Sequence, residues 1–238
     1  MHLIEQYALS CGVKIDKPHI EPLFFPVSDD KYITLHASSG MAAKNYDYFP
    51  DVVSLLSPYL EKHNIKIMQI GGKEDPSLSG CIHYHGTTSI RQTAYLIQNS
   101  LLHFGNDSFS THVASGFDKK IVCLYSVLYK ECCGPYWGNK DNQILIESDR
   151  NGLKPSFSNK ESPKMVNLIK PETIACAVLD LLNIDHDLHK IKTLHTGKDY
   201  PTPSISVVPN HIMPKSFAPG EPVNIWGHEC FDESNITR

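Results

Sequence analysis

The chain has 238 residues, 41% of them hydrophobic and 20% charged, enough to bury a sizeable core in one large domain or in one ordinary domain with an appendage. Its net charge of -4 supplies no global attraction for a polyanion, which argues against nucleic acid as the principal ligand. No stretch approaches the roughly 18 uninterrupted apolar residues of a membrane span, and the first twenty residues lack a secretory signal pattern, so a cytoplasmic protein without a membrane span is expected.

Residues 1–30 read as a lead-in helix at "LIEQYAL" followed by an extended connector, because Pro18, Pro22 and Pro26 interrupt any helical continuation. From Tyr32 the pattern alternates. "YITLHA" is a strand, and "YFPDVVSLLSPYLEKHN" a helix with Val52, Leu55, Leu56 and Leu60 on one face, although Pro58 interrupts its middle. "IKIMQIGG" and "CIHYHG" are strands, and "SIRQTAYLIQNS" is a helix with Ser89 as its N-cap. "LLHFG" is a strand, "FSTHVASGF" a short helix, and "KKIVCLYS" and "NQILIES" two more strands. "KPETIACAVLDLLN" closes the series as a helix with Pro171 in its first turn.

Strands alternating with helices at short separations imply β-α-β units in a parallel sheet. Residues 31–184 are therefore expected to form one α/β, Rossmann-like, doubly wound domain. Residues 185–238 change composition, becoming proline-rich without a helical period, and are expected to be a non-helical extension. The seven cysteines are odd in number and include no CxxC pair, which fits reduced thiols. Adjacent Cys132 and Cys133 make a poor chelate, and the paired rings of His83 and His85 lack a third ligand, so no metal site is expected.

In an open parallel sheet, ligands bind beyond the carboxyl ends of the strands. Four polar segments converge there. In "HASSGMAAK", Ser38 and Ser39 offer hydroxyls and Lys44 an ammonium for a phosphate, the alternative being a solvated surface loop. In "IGGKED", Glu74 can accept hydrogen bonds from ribose hydroxyls or stand in an ordinary exposed turn. In "HGTTS", Thr87 serves either as a ligand contact or in helix capping. In "GNDSFSTH", the amides around Ser108 to Ser110 open a helix, an anion-binding arrangement. Asp107 would repel a phosphate beside it and is better used on sugar hydroxyls or in capping the turn. His112 is read either as a buried core histidine or as a ligand contact on the same corner.

In this order, "LHASSGMAAKNYDYFP", "IGGKED", "HGTTSIRQTAYLIQNSLLHFGNDSFSTHVAS" and "IKPETIACAVLDLL" resemble the carboxyl-terminal, donor-binding half of the family 9 GT-B heptosyltransferases. The resemblance implies a nucleotide-diphosphate sugar such as ADP-heptose as substrate, inverting transfer, and neither a catalytic metal nor another cofactor. It places Ser38, Ser39 and Lys44 on the donor phosphates and Glu74 on the ribose. Asp107 would then face the transferred sugar, the amides of Ser108 and Phe109 would hold the diphosphate, and His112 would lie beside it.

The loop "SSGMAAK" is one residue longer than the family pattern. The acceptor-side domain that carries the family's catalytic base has no counterpart in the thirty residues before the donor half, so no catalytic residue is assigned. The chain is expected to be either a fragment or subunit completed elsewhere, as by a partner chain that supplies an acceptor domain, or a chain whose extension over 185–238 supplies a partial acceptor surface. The alternative is a noncatalytic interaction module that retains the fold.

Overall fold

The alternation of apolar strands with amphipathic helices builds a single parallel sheet. The computed structural model describes residues 1–192. Its strands are β1 (Tyr32–His36), β2 (Lys66–Gln69), β3 (Ile82–His83), β4 (Leu102–Asn106), β5 (Lys120–Tyr125) and β6 (Gln143–Glu147). Their spatial order is β3-β2-β1-β4-β5-β6, and every neighbouring pair is parallel. This is the doubly wound arrangement, whose strand order reverses between β1 and β4 and opens a crevice there.

The helices are α1 (Leu3–Cys11), α2 (Phe49–Lys62), α3 (Ile90–Asn99), α4 (Phe109–Gly116), α5 (Lys130–Cys133) and α6 (Pro171–Leu182). Successive strand residues point to opposite faces of the sheet, and both faces are covered. Ile33 and Leu35 of β1 join Val52, Leu56 and Leu60 of α2 and Ile174 and Val178 of α6 in one core. Tyr32 joins Met68 of β2, Leu96 and Ile97 of α3, Ala114 of α4 and Cys123 of β5 in the other. Each fully buried Leu or Ile contributes about 1.5–3 kcal/mol by leaving water. By the same alternation, Thr34 and His36 share the face of Tyr32, the side on which α3 and α4 lie.

Pro58 does not break α2, which runs unbroken through it. Pro58 and Ser54, four residues earlier, are both exposed, so the carbonyl that loses its helical partner lies on the solvent side. Ser57 meanwhile donates to the Val53 carbonyl at 2.8 Å. Ser89 caps α3 as expected, in a reciprocal arrangement with Gln92.

The lead-in helix α1 is tied to the sheet's far edge. His2 caps it and reaches the Gly134 carbonyl at 2.9 Å, and the Tyr136 hydroxyl donates to Glu5 at 3.2 Å. The connector that follows is pinned by the Trp137 indole N–H on the Asp16 carbonyl and by Arg91 on Glu21. After α6, which ends on Asn183 in the left-handed region at φ 56°, a short turn at Leu188–Lys190 is the last described element. The rest of the extension expected over 185–238, from residue 193 onward, lies outside the described residues. Among the described residues, no helix is long and apolar enough to cross a membrane.

Candidate functional site

The crevice between β1 and β4 depends on one glycine. Gly105, in β4 at φ +152°, pairs with His36 of β1, and a Cβ there would stand 2.2 Å from the His36 carbonyl oxygen. Only glycine allows the two strands this approach. Just beyond, the Asn106 side-chain amide donates to the Ala37 carbonyl at 2.5 Å, tying the loop after β1 to the end of β4.

A cleft of about 480 Å³ opens above this junction. Its walls include Ser38, Ser39, Gly40 and Lys44 from the loop after β1, Gly72 and Asp75 from the loop after β2, and Asp107, Ser108 and Phe109 from the β4–α4 corner. Six of the sequence-predicted residues therefore meet in one place: Ser38, Ser39, Lys44, Asp107, Ser108 and Phe109.

Their local roles differ. Ser39 shapes its own loop, donating its hydroxyl to the Met41 carbonyl at 3.0 Å, while the Asn45 side chain accepts from its amide at 2.7 Å. Ser38 makes no hydrogen bond among the described residues and faces the cleft. Lys44 sits in a short 3-10 turn (Ala42–Lys44) and donates to Asp107 at 2.5 Å; the two side chains are 14% and 6% exposed. The expected free ammonium is thus an ion pair, with Asp107 also approached by the Cys133 thiol at 3.9 Å. The reason is spatial: the one-turn loop after β1 drops Lys44 directly over the end of β4.

Ser108 stands at the N-cap of α4, but its hydroxyl makes no capping bond. It turns instead to His36, 2.8 Å from Nδ1, and to the Ser110 hydroxyl at 2.9 Å. Ser110 is also 2.9 Å from the same nitrogen. The first-turn amides of α4 are therefore left without a side-chain cap at the cleft wall, the condition for holding an anion. The Phe109 ring, 44% exposed, stands edge-on to His36 at 5.5 Å between centroids.

Three predicted residues lie elsewhere. Glu74 is exposed and outside the cleft, whereas its neighbour Asp75 lines it. Asp75 is drawn in by its bond from the Gly72 amide at 2.8 Å, over Gly71, where a Cβ would meet the carboxylate at 2.0 Å. Thr87 is exposed and folds back onto the Tyr84 carbonyl at 2.8 Å, and it is not among the residues lining the cleft.

His112 lies one turn into α4. It lines a separate, largely aromatic cavity of about 280 Å³ with His2, Tyr7, Cys133, Tyr136 and Trp137. Burial pushes its imidazole below the ordinary histidine range, with Asp107 opposing.

His36 and Asp75 are the cleft residues that sequence reasoning missed. Nε2 of His36 is 3.8 Å from the Asp75 carboxylate. Burial holds His36 below its ordinary range against the pull of Asp75. Behind it, His103 is fully buried with Nδ1 3.0 Å from the Thr34 hydroxyl, and burial pushes it down to about 3. A polar side chain ending a buried strand was the available signal for His36. Among the described residues, no group of three His, Cys, Asp or Glu side chains is placed to hold a metal ion.

An α/β domain of Rossmann type with an open cleft at its switch point is the class that this fold and this site define. Sequence comparison makes the assignment specific. The chain belongs to glycosyltransferase family 9 (heptosyltransferase), which it matches over residues 10–165. Among solved structures, the family 9 glycosyl transferase from Veillonella parvula DSM 2008 is 20% identical, with a TM-score of 0.52 over 75% of this chain and 50% of that one. The iron-containing dodecameric glycosyltransferase TibC from enterotoxigenic E. coli H10407 is 13% identical, with a TM-score of 0.56 over 72% and 51%. The E. coli heptosyltransferase WaaC is 13% identical, with a TM-score of 0.50 over 74% and 54%. The chain thus spans about half the length of these solved relatives. No curated protein matches it.

Proposed function

We propose that the chain is the donor-binding half of an inverting, heptosyltransferase-like glycosyltransferase and that its cleft takes a nucleotide-diphosphate sugar of the ADP-heptose kind. The observation that carries this reading is the convergence of Lys44, Ser38, Ser108 and the uncapped start of α4 on one cleft at the strand-order reversal. In that cleft the α4 amides and the Ser108 hydroxyl would hold the diphosphate. Asp75, in place of the expected Glu74, would accept from the ribose hydroxyls. Asp107, already oriented by Lys44, would accept from the transferred sugar. WaaC has been solved with ADP and TibC with ADP-D-beta-D-heptose, which supports the choice of ligand class.

Inverting transfer also needs a base to deprotonate the acceptor hydroxyl and a surface to orient it. We assign both to a second domain, supplied by a partner chain or by a longer form of this one. A cleft that stands open at the strand-order reversal, not filled by side chains among the described residues, favours donor binding over a scaffold that merely retains the fold. Titration calorimetry with ADP- and UDP-sugars tests the reading. Saturable binding of one nucleotide-sugar, weakened by Ser108→Ala, is the expected result, and no heat of binding at millimolar donor refutes it.

A further inference from the structure

His36, Ser108 and Ser110 form a closed triangle with sides of 2.8, 2.9 and 2.9 Å, and while the imidazole is neutral its three contacts share only two hydroxyl protons. The Asp75 carboxylate that faces Nε2 is an acceptor, so in the neutral imidazole Nε2 carries the proton and Nδ1 presents a lone pair. That lone pair takes one hydroxyl proton. Two serines compete for it. Ser110 is fully buried and has only the triangle to donate into, whereas Ser108 lines the cleft and can give its proton either to the Ser110 oxygen or outward.

We propose that His36 is a positioning residue for the diphosphate of the donor: by accepting from Ser110 it releases the Ser108 hydroxyl to a phosphate oxygen, and by taking up a proton it makes that release obligatory. This rests on the donor reading given above and adds to it a named device and a ligand charge state. Once protonated, Nδ1–H donates to a serine oxygen, buried Ser110 is left with only the Ser108 oxygen to donate to, and Ser108 then donates into the cleft. An imidazolium also adds positive charge beside the diphosphate, so a bound diphosphate diester raises the proton affinity of His36 and binding takes up protons.

The groups that face His36 leave it as the responsive one. Asp75 lies 3.8 Å from Nε2 and Lys44 is paired with Asp107, Phe109 brings an apolar ring, and His103, pushed down to about 3, stays neutral. His112 belongs to the neighbouring cavity.

The test uses ADP-ribose, whose disubstituted pyrophosphate carries no proton that titrates in the range, with the full chain from about pH 7.5 down to about pH 4.5, a span extended below the ordinary imidazole range because burial holds His36 under it. Affinity of the native chain is expected to rise as pH falls, by at most about tenfold per pH unit, the limit for one proton, with proton uptake visible as a buffer-dependent heat. His36→Asn keeps an acceptor without a titrating ring and is expected to bind at neutral pH with a flat profile. Ser110→Ala, which touches no ligand, leaves Ser108 as the sole donor to Nδ1. It is expected to weaken binding severalfold at neutral pH, with the gap closing in acid. Binding that is flat in the native chain, or that rises equally in His36→Asn, overturns this inference and leaves the donor reading standing. No binding at any pH overturns both.

Discussion

The Lys44–Asp107 pair ties the first cleft loop to the last, and its removal has a calculable cost. Unit charges 2.5 Å apart attract by about 6–7 kcal/mol at an effective dielectric of about 20. Desolvation of two mostly buried groups offsets much of that, so the measurable quantity is what one partner costs when the other goes. Lys44→Met strands a carboxylate that is 6% exposed at the rigid end of β4, where it cannot move into water. We expect a loss of about 3–5 kcal/mol. Asp107→Asn strands an ammonium on a flexible stem beside an open cleft, where it can reach solvent, and should cost less.

The double variant should recover most of the larger loss, giving a coupling energy of at least about 2 kcal/mol in a double-mutant cycle. Urea unfolding of the four proteins measures it. A coupling energy below about 0.5 kcal/mol, or equal losses from the two single changes, would refute the argument by showing that Asp107 is satisfied without Lys44.

Gly105→Ala drives a Cβ into the His36 carbonyl and strains the backbone at φ +152°; a loss of more than about 3 kcal/mol and collapse of the β1–β4 junction are expected in thermal unfolding, and a variant within about 1 kcal/mol of native would count against the close approach. His103 has a folded-state pKa of about 3 against about 6.5 when unfolded. The unfolded chain therefore binds more protons between these values. The stability His103 contributes is complete above about pH 6.5 and is lost as pH falls toward about 3, by roughly 4–5 kcal/mol in all. His103→Gln should flatten that acid limb in denaturation midpoints measured against pH, and an unchanged limb would place the acid sensitivity elsewhere.

The fold was largely legible because its signals are local. Six apolar runs, their spacing, the Ser89 cap and the Pro171 start are each visible within a dozen residues, and right-handed parallel connection leaves few ways to assemble them. The site was legible as segments and not as contacts. Glu74 and Asp75 are adjacent acids in one turn, and which of them faces the cleft is decided by the Gly72 amide and the space over Gly71, information absent from the acid pair itself. Lys44 meets Asp107 across 63 positions, a pairing that no local pattern reports. His112 reads like a cleft residue from its distance to Asp107 along the chain, but one helical turn carries it round to the side that α1 covers. His36 ends an apolar run that marks a strand, and such a run carries no sign of what its last polar residue faces.

The junction where Asn106 holds Ala37, 69 residues apart in sequence, joins the two halves of the sheet. Closing a loop of that length costs about 4 kcal/mol in chain entropy beyond a constant, so the cleft has no local precursor and comes into being only when the two halves of the sheet meet. A molecule gripped by both loops would act as a non-covalent clamp across that seam. Its protection should be read not at the loops it touches but in slowed amide exchange along β1 and β4, the strands that must part for the seam to open.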